Sequence, residues 1–85
     1  MGQHDPIKAL RSLLQDTISE MGTDHQVELG AKRTLVISRR GHWRGMWQFV
    51  DGQYGWVAAG NTQPEFRTAD INDAAAFAIK TILVH

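Results

Sequence analysis

Apolar residues recur at helical spacing near the start of the chain, alternate through its middle, and return to helical spacing at its end. The series Ile7, Leu10, Leu14, Ile18 and Met21, widened by Leu13, marks a one-faced helix whose stripe belongs in a core. Asp5 and Pro6 supply an N-cap and a first-turn proline, and Gly22 supplies a left-handed stop. From Gln26 the period falls to two. Val27, Leu29, Ala31, Leu35 and Ile37 share one parity, with Thr34, Val36 and Ser38 on the other. The thirteen residues from Gln26 to Ser38 exceed the usual strand of about 5–6. Gly30 therefore either bends one strand or divides it into two.

Asp51-Gly52 is a favoured pair for a two-residue hairpin, because both central positions need φ > 0. That register sets Val50 against Gln53, Phe49 against Tyr54, and Trp47 against Trp56. Trp47, Phe49, Tyr54 and Trp56 then share one face, and Met46, Val50 and Val57 the other. Arg39 to Gly45 (RRGHWRG) reads as a less regular turn before this hairpin, and Asn61 to Thr68 as an irregular loop, since Pro64 discourages a central strand. A last helix starts near Asp70, whose carboxylate can cap the amide of Asp73. Its stripe is Ile71, Ala75, Ala78, Ile79 and Ile82, and its alanines keep it thin. Phe77 lies off the stripe, placed to cap one edge of the core. The β-prone end, Thr81 to Val84, can fray or extend as a strand. The order is α-β-β-β-α. It predicts one small α+β domain over residues 1–85. The sheet is a three-stranded antiparallel meander, four-stranded if Gly30 divides the first strand, with helices packed on one face.

Composition narrows the class. Eighty-five residues build a single thin core, burying roughly 60–65% of the unfolded surface. No apolar run approaches the roughly 18 residues of a transmembrane helix, and the first residues lack the apolar stretch of a signal peptide. Pro6 stands where a myristoylation motif needs Ser or Thr. The absence of cysteine excludes disulfides and thiolate chemistry. A cytoplasmic protein with no membrane partner is the expectation. The zero net charge conceals a pattern. Residues 29–50 carry Lys32, Arg33, Arg39, Arg40 and Arg44 with no acid, whereas residues 1–28 and 51–85 are net acidic. Such segregation fits either an anionic partner or acidic helices neutralising a basic sheet.

No catalytic, metal or cofactor constellation emerges. His4, His25, His42 and His85 are far apart and match no ligand spacing. Ser12, Ser19 and Ser38 lack a nucleophile-elbow context. The constellation that remains interleaves basic and aromatic residues: Arg39, Arg40, His42, Trp43 and Arg44, then Trp47, Phe49, Tyr54 and Trp56. Guanidinium groups engage phosphates and flat rings stack on unpaired bases. The same residue types dominate protein-interface hot spots. In element order the chain resembles the double-stranded-RNA-binding domain, although its last helix begins Asp70-Ile71-Asn72-Asp73 where that family carries lysines. Residues 34–83 resemble the sheet-plus-helix of plant AP2-type and phage-integrase arm domains. Zero net charge weighs against general nucleic-acid coating. The leading expectation is thus a non-catalytic module for protein–protein interaction, of adaptor or inhibitor type, with a protein partner or a homodimer. A nucleic-acid-binding module using the Arg39–Arg44 turn is the alternative. A plainer reading makes the aromatic quartet the core beneath the helices, which would turn Met46, Val50 and Val57 outward.

Overall fold

A computed structural model describes residues 5–83 and shows two helices with one antiparallel sheet, a mixed α+β fold. His4, Val84 and His85, weighed above, lie outside that range. Helix α1 spans Pro6–Met21. The Asp5 carboxylate accepts hydrogen bonds from the amides of Ile7 at 3.0 Å and Lys8 at 3.3 Å, and Gly22 closes the helix at φ 70°. Ile7, Leu10 and Leu14 are buried, Ile18 is half-buried, and Met21 runs past the core into solvent.

Five strands follow: β1 (His25–Gly30), β2 (Thr34–Arg39), β3 (His42–Val50), β4 (Gln53–Ala58) and β5 (Phe66–Thr68). They form one antiparallel sheet in chain order. The expected count of three or four strands is therefore corrected to five, for two reasons. Gly30 divides the first alternating run into β1 and β2, joined by a turn in which Lys32 and Arg33 take φ of 56° and 57°. Parity survives because Gly30 lies opposite Thr34. The stretch read as an irregular loop also contains β5. Pro64 stands just before it, where an edge strand tolerates proline, and the Glu65 amide donates to the Trp56 carbonyl at 2.9 Å. Three residues are too few to display alternation.

The first hairpin turn is also tighter than RRGHWRG suggested. Arg40 and Gly41 form a two-residue turn at φ 53° and 80°, matching Asp51 and Gly52 at 55° and 77°. The irregularity is a bulge one step further on. Ile37 opposes Gly45 and Ser38 opposes Trp43, which leaves Arg44 as the extra residue. Gly45 sits at φ 146°, and a Cβ there would lie 2.5 Å from the Val57 carbonyl oxygen and 2.7 Å from the Trp56 ring. Glycine is required both by the backbone and by the indole beside it.

Helix α2 covers Ile71–Phe77, and Asp70 caps the amide of Asn72 at 2.8 Å instead of that of Asp73. A π-helical segment, Ala78–Ile82, continues it, with the Leu83 amide donating to the Ala78 carbonyl at 2.8 Å. Through Leu83, the β-prone end is wound into this segment. The core joins Ile7, Leu10 and Leu14 of α1 to Val27, Leu35, Ile37, Trp47, Tyr54 and Trp56 on one sheet face, and to Ala74, Ala75, Ala78, Ile82 and Leu83. Small residues on the last helix meet the largest side chains of the sheet. Trp47 and Trp56 lie 5.5 Å apart between centroids, and Phe77 stacks on Phe66 at 4.2 Å.

Candidate interaction surface

The residues expected to form a site fall in three different places. Trp47, Tyr54 and Trp56 share a face, as the hairpin register requires, but that face is the core. Their relative exposures are 0%, 3% and 3%, so they are not available to stack on a partner. The expectation of an exposed face built from these rings is corrected. A helix rich in alanine leaves a deep space above the sheet, and only large rings fill it. Tyr54 resolves its polar end by donating to the Pro6 carbonyl at 3.1 Å, and burial, aided by nearby Asp5, raises its phenol pKa.

The basic run does not form one patch. Lys32 and Arg33 lie at one end of β2, and Arg39 and Arg40 at the other, a separation of about 20 Å for a six-residue strand. Arg39 and Arg40 both converge on Asp24, in the link between α1 and β1. Arg39 Nε donates to Asp24 Oδ1 at 2.8 Å, and Arg40 Nε donates to Oδ2. These two guanidinium groups, Arg39 first, hold the Asp24 carboxyl well below the usual carboxylate range. Sequence could not reveal this clasp, because its partners are 15 and 16 residues apart. Arg39 lies opposite His42, which is exposed, and Arg44 sits half-buried at the bulge, its carbonyl accepting from the Ala59 amide at 3.0 Å. Close by, His25 is buried, with Nδ1 3.0 Å from Thr23 Oγ1. Burial chiefly, then the positive charges of Arg39 and Arg44, push its pKa down.

Trp43 alone among the tryptophans is exposed, at 51%, and it stands on the opposite sheet face, opposite Ser38. Its indole N–H donates to the Gly45 carbonyl at 3.0 Å, which fixes the ring over the bulge. That outer face is ordered by the strand register. One row runs Glu28, Val36, Met46, Val57 across four strands. Beside it, Gln48 faces Gly55, which faces Arg67, with Pro64 within 3.4 Å of where a Gly55 Cβ would lie. Val50, 53% exposed, continues the apolar surface, and Val57 is buried although it stands outside the core cluster. Gln26, Ser38, Glu28, Gln53 and Arg67 rim this strip, and Gln48 lies within it, between Met46 and Val50. An apolar centre inside a polar rim is the anatomy of a protein interface.

Sequence reasoning placed Met46, Val50 and Val57 on one face but left open whether that face is the bare one. The signal that would have chosen it is Gly45, whose missing side chain makes room for the Trp56 ring and so marks the aromatic side as packed. Among the described residues no three His, Asp or Glu side chains converge, and no described helix is long and apolar enough to cross a membrane. Comparison with protein-family models, with curated proteins and with solved structures gives no match, so the functional reading rests on the surface itself.

Proposed function

We propose that this chain is a non-catalytic, cytoplasmic binding module that docks a partner protein on the outer face of its sheet. One observation carries the reading: Trp43, Val36, Met46 and Val50 form a partly exposed apolar strip on the face opposite the core cluster. Trp43 is the anchor. A tryptophan held in one orientation by its own N–H bond loses little freedom on binding, and such residues dominate interface energetics. The nucleic-acid reading has less support, because Arg39 and Arg40 are engaged by Asp24 and Lys32 and Arg33 lie at the other end of β2.

The test compares variants of the immobilised protein as it captures and releases its partner. Met46→Asp or Trp43→Ala should abolish retention, whereas the double change Arg39→Ala, Arg40→Ala should preserve it. Oligonucleotides at low salt should leave Trp43 emission unchanged. Binding whose log affinity falls with log salt at roughly −0.7 to −0.9 per phosphate, and flattens in the double arginine variant, would replace the protein reading with the nucleic-acid one.

A further inference from the structure

We propose that two copies of this chain associate through antiparallel pairing of their β1 edges, extending the sheet across a two-fold axis. The two edges of the sheet differ. β5 has three residues, follows Pro64 and carries Arg67, features that blunt a sheet edge. β1 runs six residues, His25–Gly30, with no proline, no lysine and no break in its register. Among the described residues it pairs with β2 alone. The outer side of an edge strand presents backbone donors and acceptors that template a further strand. A groove runs between this edge and α1, lined by Arg11, Gln15, Asp16, Ser19, Gln26 and Glu28. Leu29, at the end of the same strand, is 42% exposed.

A second copy suits this edge because its charges are complementary to themselves. The net charge is zero, so two copies do not repel at long range. Arg11 and Asp16 line the one groove with opposite signs, so the groove beside the edge carries no single-sign field against a second copy. Symmetry also narrows the register, since an axis normal to the sheet places residues of the same face opposite one another, and only centring on Gln26, Val27 or Glu28 overlaps the middle of the strand. Centring on Glu28 would oppose two carboxylates, and centring on Gln26 would oppose Glu28 to Asp24. Both are like-charge pairs, which destabilise a ladder. Centring on Val27 avoids them. It sets Val27 against Val27 of the second copy, Gln26 against Glu28, and His25 against Leu29.

Sedimentation velocity of the full chain, over a concentration series reaching high micromolar, tests this. Gln26 and Glu28 are exposed, so charge changes there spare the fold, and a denaturation curve for each variant verifies it. Gln26→Lys creates two opposite-charge pairs with Glu28 of the second copy and should tighten the dimer roughly tenfold. Gln26→Glu creates two like-charge pairs and should weaken it by a similar factor. Restoring a neutral partner with Glu28→Gln in the Gln26→Glu background should recover association. Trp43→Ala should leave the dimer intact. A protein that remains monomeric throughout the series overturns the proposal. So does a dimer that ignores both changes at position 26, or one that is lost with Trp43→Ala.

Discussion

The same β3–β4 hairpin contributes to both faces of the sheet, and the two faces do different things. Trp47 and Trp56 point inward, opposite each other and under the helices. Their immediate neighbours in sequence, Met46 and Val57, are likewise opposite each other and point outward. Alternation made both faces apolar, so polarity alone could not say which is core. Volume decides. The last helix offers Ala74, Ala75 and Ala78 to the sheet, and rings as large as indole fill the gap that alanines leave. The outer face carries the smaller Val36, Met46 and Val50, and they stay partly exposed.

The largest difference expected between the faces is in stability. Trp47→Ala empties a fully buried site and should cost about 3–5 kcal/mol in urea denaturation. A domain of this size has on the order of 5–15 kcal/mol to lose, so most of its stability is at stake. A cost below about 1 kcal/mol would mean the inner face is not the core. Next in size is Gly45→Ala. Its backbone is left-handed and its Cβ would meet the Val57 carbonyl, so a loss of about 1–3 kcal/mol should appear in the same assay. An unchanged midpoint would show that the bulge relaxes freely and that Trp43 is not rigidly held.

Acidification probes the end of the sheet where the two faces meet the basic turn. His25 has a folded pKa depressed below its ordinary 6.5, so the unfolded chain binds the proton more readily. Stability should therefore be constant above about pH 6.5 and fall as the pH drops below it. His25→Gln should flatten that particular slope in a pH series of melting curves. A stability that instead rises on acidification would mean that His25 gains an anionic partner when charged. The smallest stability change belongs to the outer face. Trp43→Ala should alter the denaturation midpoint by no more than about 0.5 kcal/mol while removing partner retention.

How much of this was legible follows from the reach of each signal. The Asp5-Pro6 start, the Gly22 stop and the Asp51-Gly52 register are local, and all three stand as read. The common face of Trp47, Phe49, Tyr54 and Trp56 follows from that register. Three features stayed hidden because they depend on distant partners. β5 is a strand only because β4 lies beside it. The basic run splits only because β2 carries its two halves apart. Asp24 engages Arg39 and Arg40 only because β1 and β2 pair with His25 opposite Arg39. The aromatic residues read as one constellation accordingly part: Trp43 is exposed, whereas Trp47, Tyr54 and Trp56 fold away from it into the core.

Tryptophan accessibility tests the division between faces most directly. The native protein should show one indole quenched by acrylamide, and Trp43→Phe should leave emission from Trp47 and Trp56 that is nearly unquenched. If the Trp43→Phe protein is still quenched as strongly as an exposed indole, the inner face is open to solvent. The assignment of core and docking surface would then be contradicted.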